Sequence, residues 1–251
     1  MPMTPPPGPP GGTGDWFREW FDDEYLALYP HRDDAEAERL VALLRRAIPW
    51  PDGARVLDVG CGAGRHGRAF EAAGARYTGV DLSWPLLRRA REAVRGGLVR
   101  ADMRHLPVAS ASMELTACLF TSFGYFADDA THAAVFAQMA ATVRRDGHFV
   151  LDYLNEAQVR ESMADTSMEW GRARAAQGMR RLSADRKYVE KTIALANGRV
   201  VEERVRLFTL LDLERMFRDA RLAVTAVYGD YDGGPLDRDA PRALIIGRRT
   251  A

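Results

Sequence analysis

The run VLDVGCGAGRHGRAF, residues 56–70, sets a short apolar stretch, one carboxylate and four glycines side by side. An apolar strand that breaks into alternating glycines and then a helical pattern offers bare backbone amides to a ligand at a helix start. Two chemistries compete for such a loop. The literal spacing G-x-G-x-x-G, at Gly62, Gly64 and Gly67, is that of a dinucleotide pyrophosphate site. That site wants its first glycine directly at the strand end, which here is Gly60. Counted from Gly60, the third-glycine position is Arg65.

Three acidic residues end the neighbouring strand-like runs: Asp58, Asp81 and Asp102. A carboxylate at position 81 suits hydrogen bonds from a ribose diol, which any adenosine ligand offers. Asp58 discriminates. Against a pyrophosphate it is repulsive, by roughly 4 kcal/mol for like charges about 4 Å apart at an effective dielectric near 20. Against a ligand ammonium the same interaction is attractive. Asp102 and Met103 add a polar and an apolar contact for an adenine. An adenosine with a cationic amino-acid arm satisfies all three positions, and S-adenosylmethionine is such a molecule. An NAD(P)-dependent oxidoreductase and a non-catalytic S-adenosylmethionine-binding module are the alternatives.

The elements that must position these residues are legible as a pattern. RVLDV, YTGVD, GLVRAD, MELTACLF and HFVLDYL read as strands. Between them lie the helical patterns GRHGRAFEAA, SWPLLRRAREAV and residues 129–144, with Ser83 as an N-cap and Pro85 in the first turn. Ahead of them, DDAEAERLVALLRRAI places Ala37, Leu40, Val41, Leu44 and Ile48 on one helical face. Strands alternating with helices predict an α/β fold, a mostly parallel sheet covered on both faces. Between about 155 and 208 the period shifts to two, and Asn197-Gly198 predicts a type I′ hairpin within a small antiparallel β insert. Helix LLDLERMFRDA and strands LAVTAVYG and RALIIGRR complete the chain. The domain reading is a disordered tail over 1–14, a main domain over 15–154 and 209–251, and a β-rich lid over 155–208.

VLDVGCGAG, GVDLS, ADMRHLP, ELTACLFTSFGYF and VRRDGHFVLD follow one another in the order and spacing of the motifs of class I S-adenosylmethionine-dependent methyltransferases. The chain resembles that family over nearly all its length after the tail. The resemblance implies a Rossmann-like seven-stranded sheet whose last strand is antiparallel. It implies that Gly60, Gly62 and Gly64 admit the methionine arm and that Asp58 orients its ammonium. Asp81 and Leu82 would hold the ribose, Asp102 and Met103 the adenine, and Leu119 and Phe120 would pack cofactor beside acceptor. Arg32 would clamp the cofactor carboxylate, or be an exposed arginine near a helix start. Tyr25 and Tyr29 would cover cofactor and acceptor, or pack the N-terminal segment.

The insert, by the same resemblance, sits above the cofactor sulfur as in sugar-amine and glycine-type N-methyltransferases, which implies a small-molecule acceptor. Trp170 would line this lid, or pack within it. Tyr228, Asp230, Tyr231 and Asp232 lie on the loop that faces the acceptor mouth in the family, where polar residues are also common as turn formers. A hydroxyl acceptor wants a base within about 3 Å. His31, Tyr125 and Asp230 are the candidates, all weak, so transfer to nitrogen is preferred over transfer to oxygen. His66, at a helix start, is a further ligand-contact candidate. The chain lacks the Asn-Pro-Pro-aromatic signature, a Pro-Cys nucleophile and a carboxylate-rich magnesium site, and no metal is expected.

Composition narrows the partners. The chain of 251 residues has 35 basic and 35 acidic side chains, which argues against a sequence-independent grip on nucleic acid or an anionic membrane. No apolar run is long enough for a membrane span. Two cysteines without metal-ligand spacing fit a reducing cytoplasm. The expected partners are a small-molecule acceptor and, in a homodimer, a second copy of the chain.

Overall fold

Val56, Leu57 and Val59 form a strand apolar on both faces because helices cover both sides of the sheet they belong to. The computed structural model describes residues 15–28, 34–163, 168–172 and 176–250. Three N-terminal helices, α1 (Phe17–Trp20), α2 (Asp23–Leu28) and α3 (Asp34–Ala47), precede the alternation. It runs β1 (Arg55–Val59), α4 (Arg65–Ala72), β2 (Arg76–Asp81), α5 (Trp84–Ala93), β3 (Gly97–Arg100), β4 (Met113–Cys118), α6 (Asp129–Thr142) and β5 (Val143–Leu154). Then come α7 (Glu156–Ser162) and the strands β6 (Met168–Arg172), β7 (Ala176–Leu182), β8 (Tyr188–Leu195) and β9 (Val200–Arg206). Helix α8 (Leu210–Asp219), β10 (Leu222–Tyr228) and β11 (Arg242–Arg249) finish the chain.

Seven strands form one sheet in the order β10-β11-β5-β4-β1-β2-β3, and β11 alone runs against the rest. The crossovers leave β1 in opposite directions toward β2 and β4, so the switch point lies between β1 and β4, where open α/β sheets bind ligands. The cap of α5 follows the sequence reading. Ser83 accepts the Leu86 N–H at 3.2 Å at the start of α5, with Pro85 in its first turn. Thr209 and Asp212 form a reciprocal capping box on α8.

Two local expectations change. Helix α6 ends at Thr142, not at residue 144: Val143 already pairs with Met113, and the ladder slips before Leu115 meets His148, with Asp146 at φ 62° in the gap. The hairpin at Asn197-Gly198 has a three-residue loop in which only Gly198 takes a positive φ, 86°. The Gly198 N–H donates to the Leu195 carbonyl and the Leu195 N–H to the Arg199 carbonyl, each at 2.9 Å. A type I turn closed by a left-handed glycine replaces the type I′ turn, and it relieves Asn197 of the positive φ.

Strands β6 to β9 form a separate antiparallel sheet between β5 and α8 in the chain. Its inner face packs on the N-terminal helices: Ile193 and Val201 join Trp20, Tyr25 and Leu28 in one buried cluster. Polar ties reinforce this contact. The Trp20 indole donates to Glu203 at 2.6 Å, and the Arg199 guanidinium holds Asp22 at 2.7 Å and Glu24 at 2.8 Å. Trp20 is wholly buried. Trp20→Ala should therefore cost about 3–5 kcal/mol of stability in urea denaturation, with faster proteolysis of the insert. A loss below about 1 kcal/mol would show that the insert holds its place without this anchor.

Candidate active site

Beyond the carboxyl ends of β1, β2 and β4 lies a cavity of about 970 Å³. Its floor is the glycine loop. Gly60 has φ 77°, and a Cβ there would sit 2.6 Å from the Ser122 Cβ, so only glycine lets the turn after β4 lie against the loop. Gly67 answers the question raised by the G-x-G-x-x-G spacing. A Cβ on it would fall 2.4 Å from the Tyr77 ring, so this glycine serves close packing of α4 on β2. Gly64 opens α4 in a left-handed conformation with its back to Ala90 and Val94. Gly60 and Gly62 line the cavity; Gly64 and Gly67 do not.

Asp81, at the end of β2, accepts the Gly62 N–H and the Ser83 N–H, both at 2.8 Å. It locks the glycine loop to the start of α5 and still faces the cavity with Leu82. Burial raises its pKa, against the lowering effect of the backbone donors Ser83, Gly62 and Leu82. Asp102 and Met103 stand on the wall after β3. Burial pushes the Asp102 carboxyl up, but Arg104 and Arg18 outweigh it and hold the pKa below its ordinary value. Arg18 and Arg104 also bind Asp15, so a four-residue ion cluster ties the N-terminal segment to this wall.

Asp58 lies elsewhere than the sequence suggested. Its carboxyl is sealed beneath the loop, not on the cavity wall, and accepts the Tyr77 hydroxyl at 3.0 Å. Burial pushes its pKa up to about 7; the Tyr77 bond and Arg65 pull down, and the Asp81 charge pushes up.

After β4 the backbone takes two successive left-handed residues, Phe120 at φ 53° and Thr121 at φ 61°. Such strain persists only where surroundings over-determine it. Here Asp152 on β5 accepts the Phe120 N–H at 2.8 Å, and Arg242 at the start of β11 bonds both Asp152 and the Thr121 hydroxyl at 2.8 Å. The Phe120 ring is thereby set between two guanidinium groups, Arg65 at 4.1 Å and Arg242 at 5.4 Å from its centroid. Leu119, Phe120, Thr121, Ser122 and Tyr125 line the cavity. The Tyr125 hydroxyl donates to the Thr121 carbonyl at 2.6 Å. His66 also lines it; burial, Arg65 and Arg242 keep its pKa well below 6.5, and its Nε2 has no hydrogen-bond partner among the described residues.

The late loop does not reach the cavity. Tyr228 is a half-buried residue packed on the core beside α3, and Tyr231 is buried with its hydroxyl on Asp152 at 2.7 Å. Asp230 accepts the backbone N–H groups of Asp232, Gly233 and Gly234, a turn-forming role that local backbone geometry rewards. Asp232 is exposed at the same turn. Tyr29, His31 and Arg32 lie outside the described residues. Trp170 stands on β6 opposite Gly178, and its side chain is outside the description. Tyr25 lines the cavity beside Trp16, Phe17 and Phe21. Of this cover the sequence reading named only Tyr25, and nothing in the sequence flagged Asp152 or Arg242, which meet only through the sheet.

Residues 56–147 match the family described as "Methyltransferase domain". The chain is 30% identical over 218 residues to the dTDP-3-amino-3,6-dideoxy-alpha-D-glucopyranose N,N-dimethyltransferase of Streptomyces fradiae, covering 83% of this chain and 84% of that one. In fold it is similar to the CcbJ methyltransferase of Streptomyces caelestis, with a TM-score of 0.78 at 17% identity over 93% of this chain and 99% of that one. It is also similar to the S-adenosylmethionine-bound amino pentose methyltransferase CalS10 of Micromonospora echinaspora, with a TM-score of 0.62 at 24% identity over 90% and 96% of the two chains. The chain belongs to the class I S-adenosylmethionine-dependent methyltransferases. It is an enzyme of that class with S-adenosylmethionine as its cofactor, not a nicotinamide oxidoreductase.

A buried carboxyl poised near neutrality under the glycine loop should couple cofactor binding to pH. A ligand ammonium favours the ionised carboxylate, so binding lowers the Asp58 pKa from about 7 and releases a proton. Affinity for S-adenosylmethionine should therefore rise by up to about tenfold per pH unit between pH ~5 and ~7 and level off above. Calorimetry across pH checks this, and Asp58→Asn should flatten the profile. A profile equally steep in the variant would remove Asp58 from the coupling.

Proposed function

We propose that the chain methylates an amine nitrogen of a small-molecule acceptor in the cytoplasm. The observation that carries this reading is a cavity walled by the glycine loop, Asp81 and Asp102 on one side and roofed by the β insert, whose wall carboxylates Asp81, Asp102 and Glu203 each already accept a hydrogen bond from the protein. Tyr125 has committed its hydroxyl proton to the Thr121 carbonyl, Asp230 stands away from the cavity, and His66 is held too weakly basic to accept a proton readily near neutrality. An amine needs only to arrive unprotonated. Both cysteines are free and buried, which suits a reducing compartment. No described helix is long and apolar enough to cross a membrane.

The residues present fit the cofactor. Gly60 and Gly62 offer backbone close to the cavity, and Asp81 keeps acceptor capacity for ribose hydroxyls beyond its two backbone donors. Leu82, Asp102 and Met103 provide an adenine wall, and Leu119 and Phe120 lie toward the acceptor. Gly64 and Asp58 support the loop from behind. Bound S-adenosylmethionine supplies a methyl group already activated by its sulfonium. What the chain adds is alignment, with Phe120 fixed by Asp152 and Arg242, and exclusion of water by Trp16, Phe17, Phe21 and Tyr25. Positioning of this kind supplies roughly 7–11 kcal/mol of a barrier. The dimethyltransferase relative from Streptomyces fradiae supports nitrogen as the acceptor atom.

Incubation with methyl-labelled cofactor and a metabolite extract, followed by mass spectrometry, should give a labelled amine. Label carried only on oxygen or carbon would refute the reading. Asp81→Ala should raise the KM for the cofactor by about 10- to 100-fold, the range for losing hydrogen bonds to a charged group.

A further inference from the structure

The inner face of the insert sheet carries a polar row that its own packing does not require. Strand register sets Arg180 opposite Lys191 and Lys191 opposite Glu203. The row on one side is Gly178, Ile193 and Val201, and on the other Leu182, Val189 and Val205. Those flanking rows do the structural work: Ile193 and Val201 pack on the N-terminal helices, and Val189 packs on Val159 and Met163 of the α7 region. Arg180, Lys191 and Glu203 between them line the cavity. Two like charges placed directly opposite on neighbouring strands are destabilising, and aliphatic residues would close this face more cheaply.

The other cations on the cavity wall are matched. Arg65 holds Glu36 at 2.6 Å, Arg242 holds Asp152 at 2.8 Å and Arg89 holds Glu92 at 3.0 Å. Lys191 stands 3.9 Å from Glu203, which also takes the Trp20 indole N–H. Arg180 faces the same cavity and has no ion pair within 4.0 Å and no hydrogen bond among the described residues; the Glu203 charge supports it only from farther off. Burial opposes its charge.

We propose that Arg180, seconded by Lys191, receives an oxyanion of the acceptor, so that the methylated amine is a phosphate- or carboxylate-bearing molecule. A guanidinium fork matches two oxygens of either group, and the ligand charge relieves the Arg180–Lys191 repulsion. The row belongs to the insert, whereas the glycine loop, Asp81 and Asp102 belong to the parallel sheet; this places it with the acceptor. The inference rests on the reading of the cavity as shared by cofactor and acceptor.

The test uses the full chain saturated with S-adenosylhomocysteine and titrated calorimetrically, in one arm with inorganic pyrophosphate and in the other with succinate. Binding in either arm is expected. Pyrophosphate uptake identifies a phosphorylated acceptor, and succinate uptake a carboxylated one. Arg180→Gln should weaken that binding by about tenfold or more, with Arg180→Lys less affected and S-adenosylhomocysteine affinity kept within about twofold. Should Arg180→Gln fail to fold, Arg180→Lys and Lys191→Gln make the same comparison. Absence of binding in both arms, or binding indifferent to Arg180, overturns the proposal. An equal loss of S-adenosylhomocysteine affinity overturns it too, by placing the guanidinium on the cofactor carboxylate. A wild-type chain that binds pyrophosphate through Arg180 but no S-adenosylhomocysteine refutes the shared-cavity reading and leaves the oxyanion site standing.

Discussion

Asp152 is sealed from solvent, and its two oxygens serve three donors from three parts of the chain: the Phe120 N–H, the Tyr231 hydroxyl and the Arg242 guanidinium. A buried carboxylate with its cation removed is an uncompensated charge, far costlier than the intact pair is stabilising. The pairing is therefore obligatory, and its geometry dictates the turn after β4. That turn runs through two left-handed residues without glycine, a conformation the local sequence would not choose. Phe120, on the cavity wall, inherits its position from this arrangement.

A second dependency runs through the N-terminal helices. They are short, and helices of this length do not stand alone in water. They hold because one face packs on the insert through Trp20 and Tyr25 while the other leans over the cavity through Trp16 and Phe21. Arg18 and Arg104 fasten the same segment to Asp102. The N-terminal helices, the insert and the wall after β3 are thus tied into one mechanical unit.

The sheet was legible because each strand and helix carries its own period, and because Ser83 and Pro85 mark the start of α5 by local chemistry. One cavity wall was legible for a related reason: Gly60, Asp81 and Asp102 sit at strand ends, so their clustering follows from parallel topology alone. Asp58 was misjudged in place because a strand-end carboxylate can point either up to a ligand or down into the packing, and Tyr77, two positions before Gly79, decided it. Tyr228, Tyr231 and Asp230 were expected at the mouth from the family resemblance, yet Tyr228 packs on the core, Tyr231 bonds Asp152 and Asp230 bonds the backbone of its own turn. Arg180, Lys191 and Glu203 come together only through antiparallel register, which a period-two pattern announces without fixing.

The N-terminal segment is held at two places of different character, by ions at the wall after β3 and by apolar packing on the insert. Its opening breaks the Arg18 and Arg104 ion cluster on one side and the Trp20–Glu203 bond on the other. Ionic strength, which weakens exposed ion pairs but leaves the apolar contacts, therefore loosens the Asp102 side of this hold before the Trp20 side.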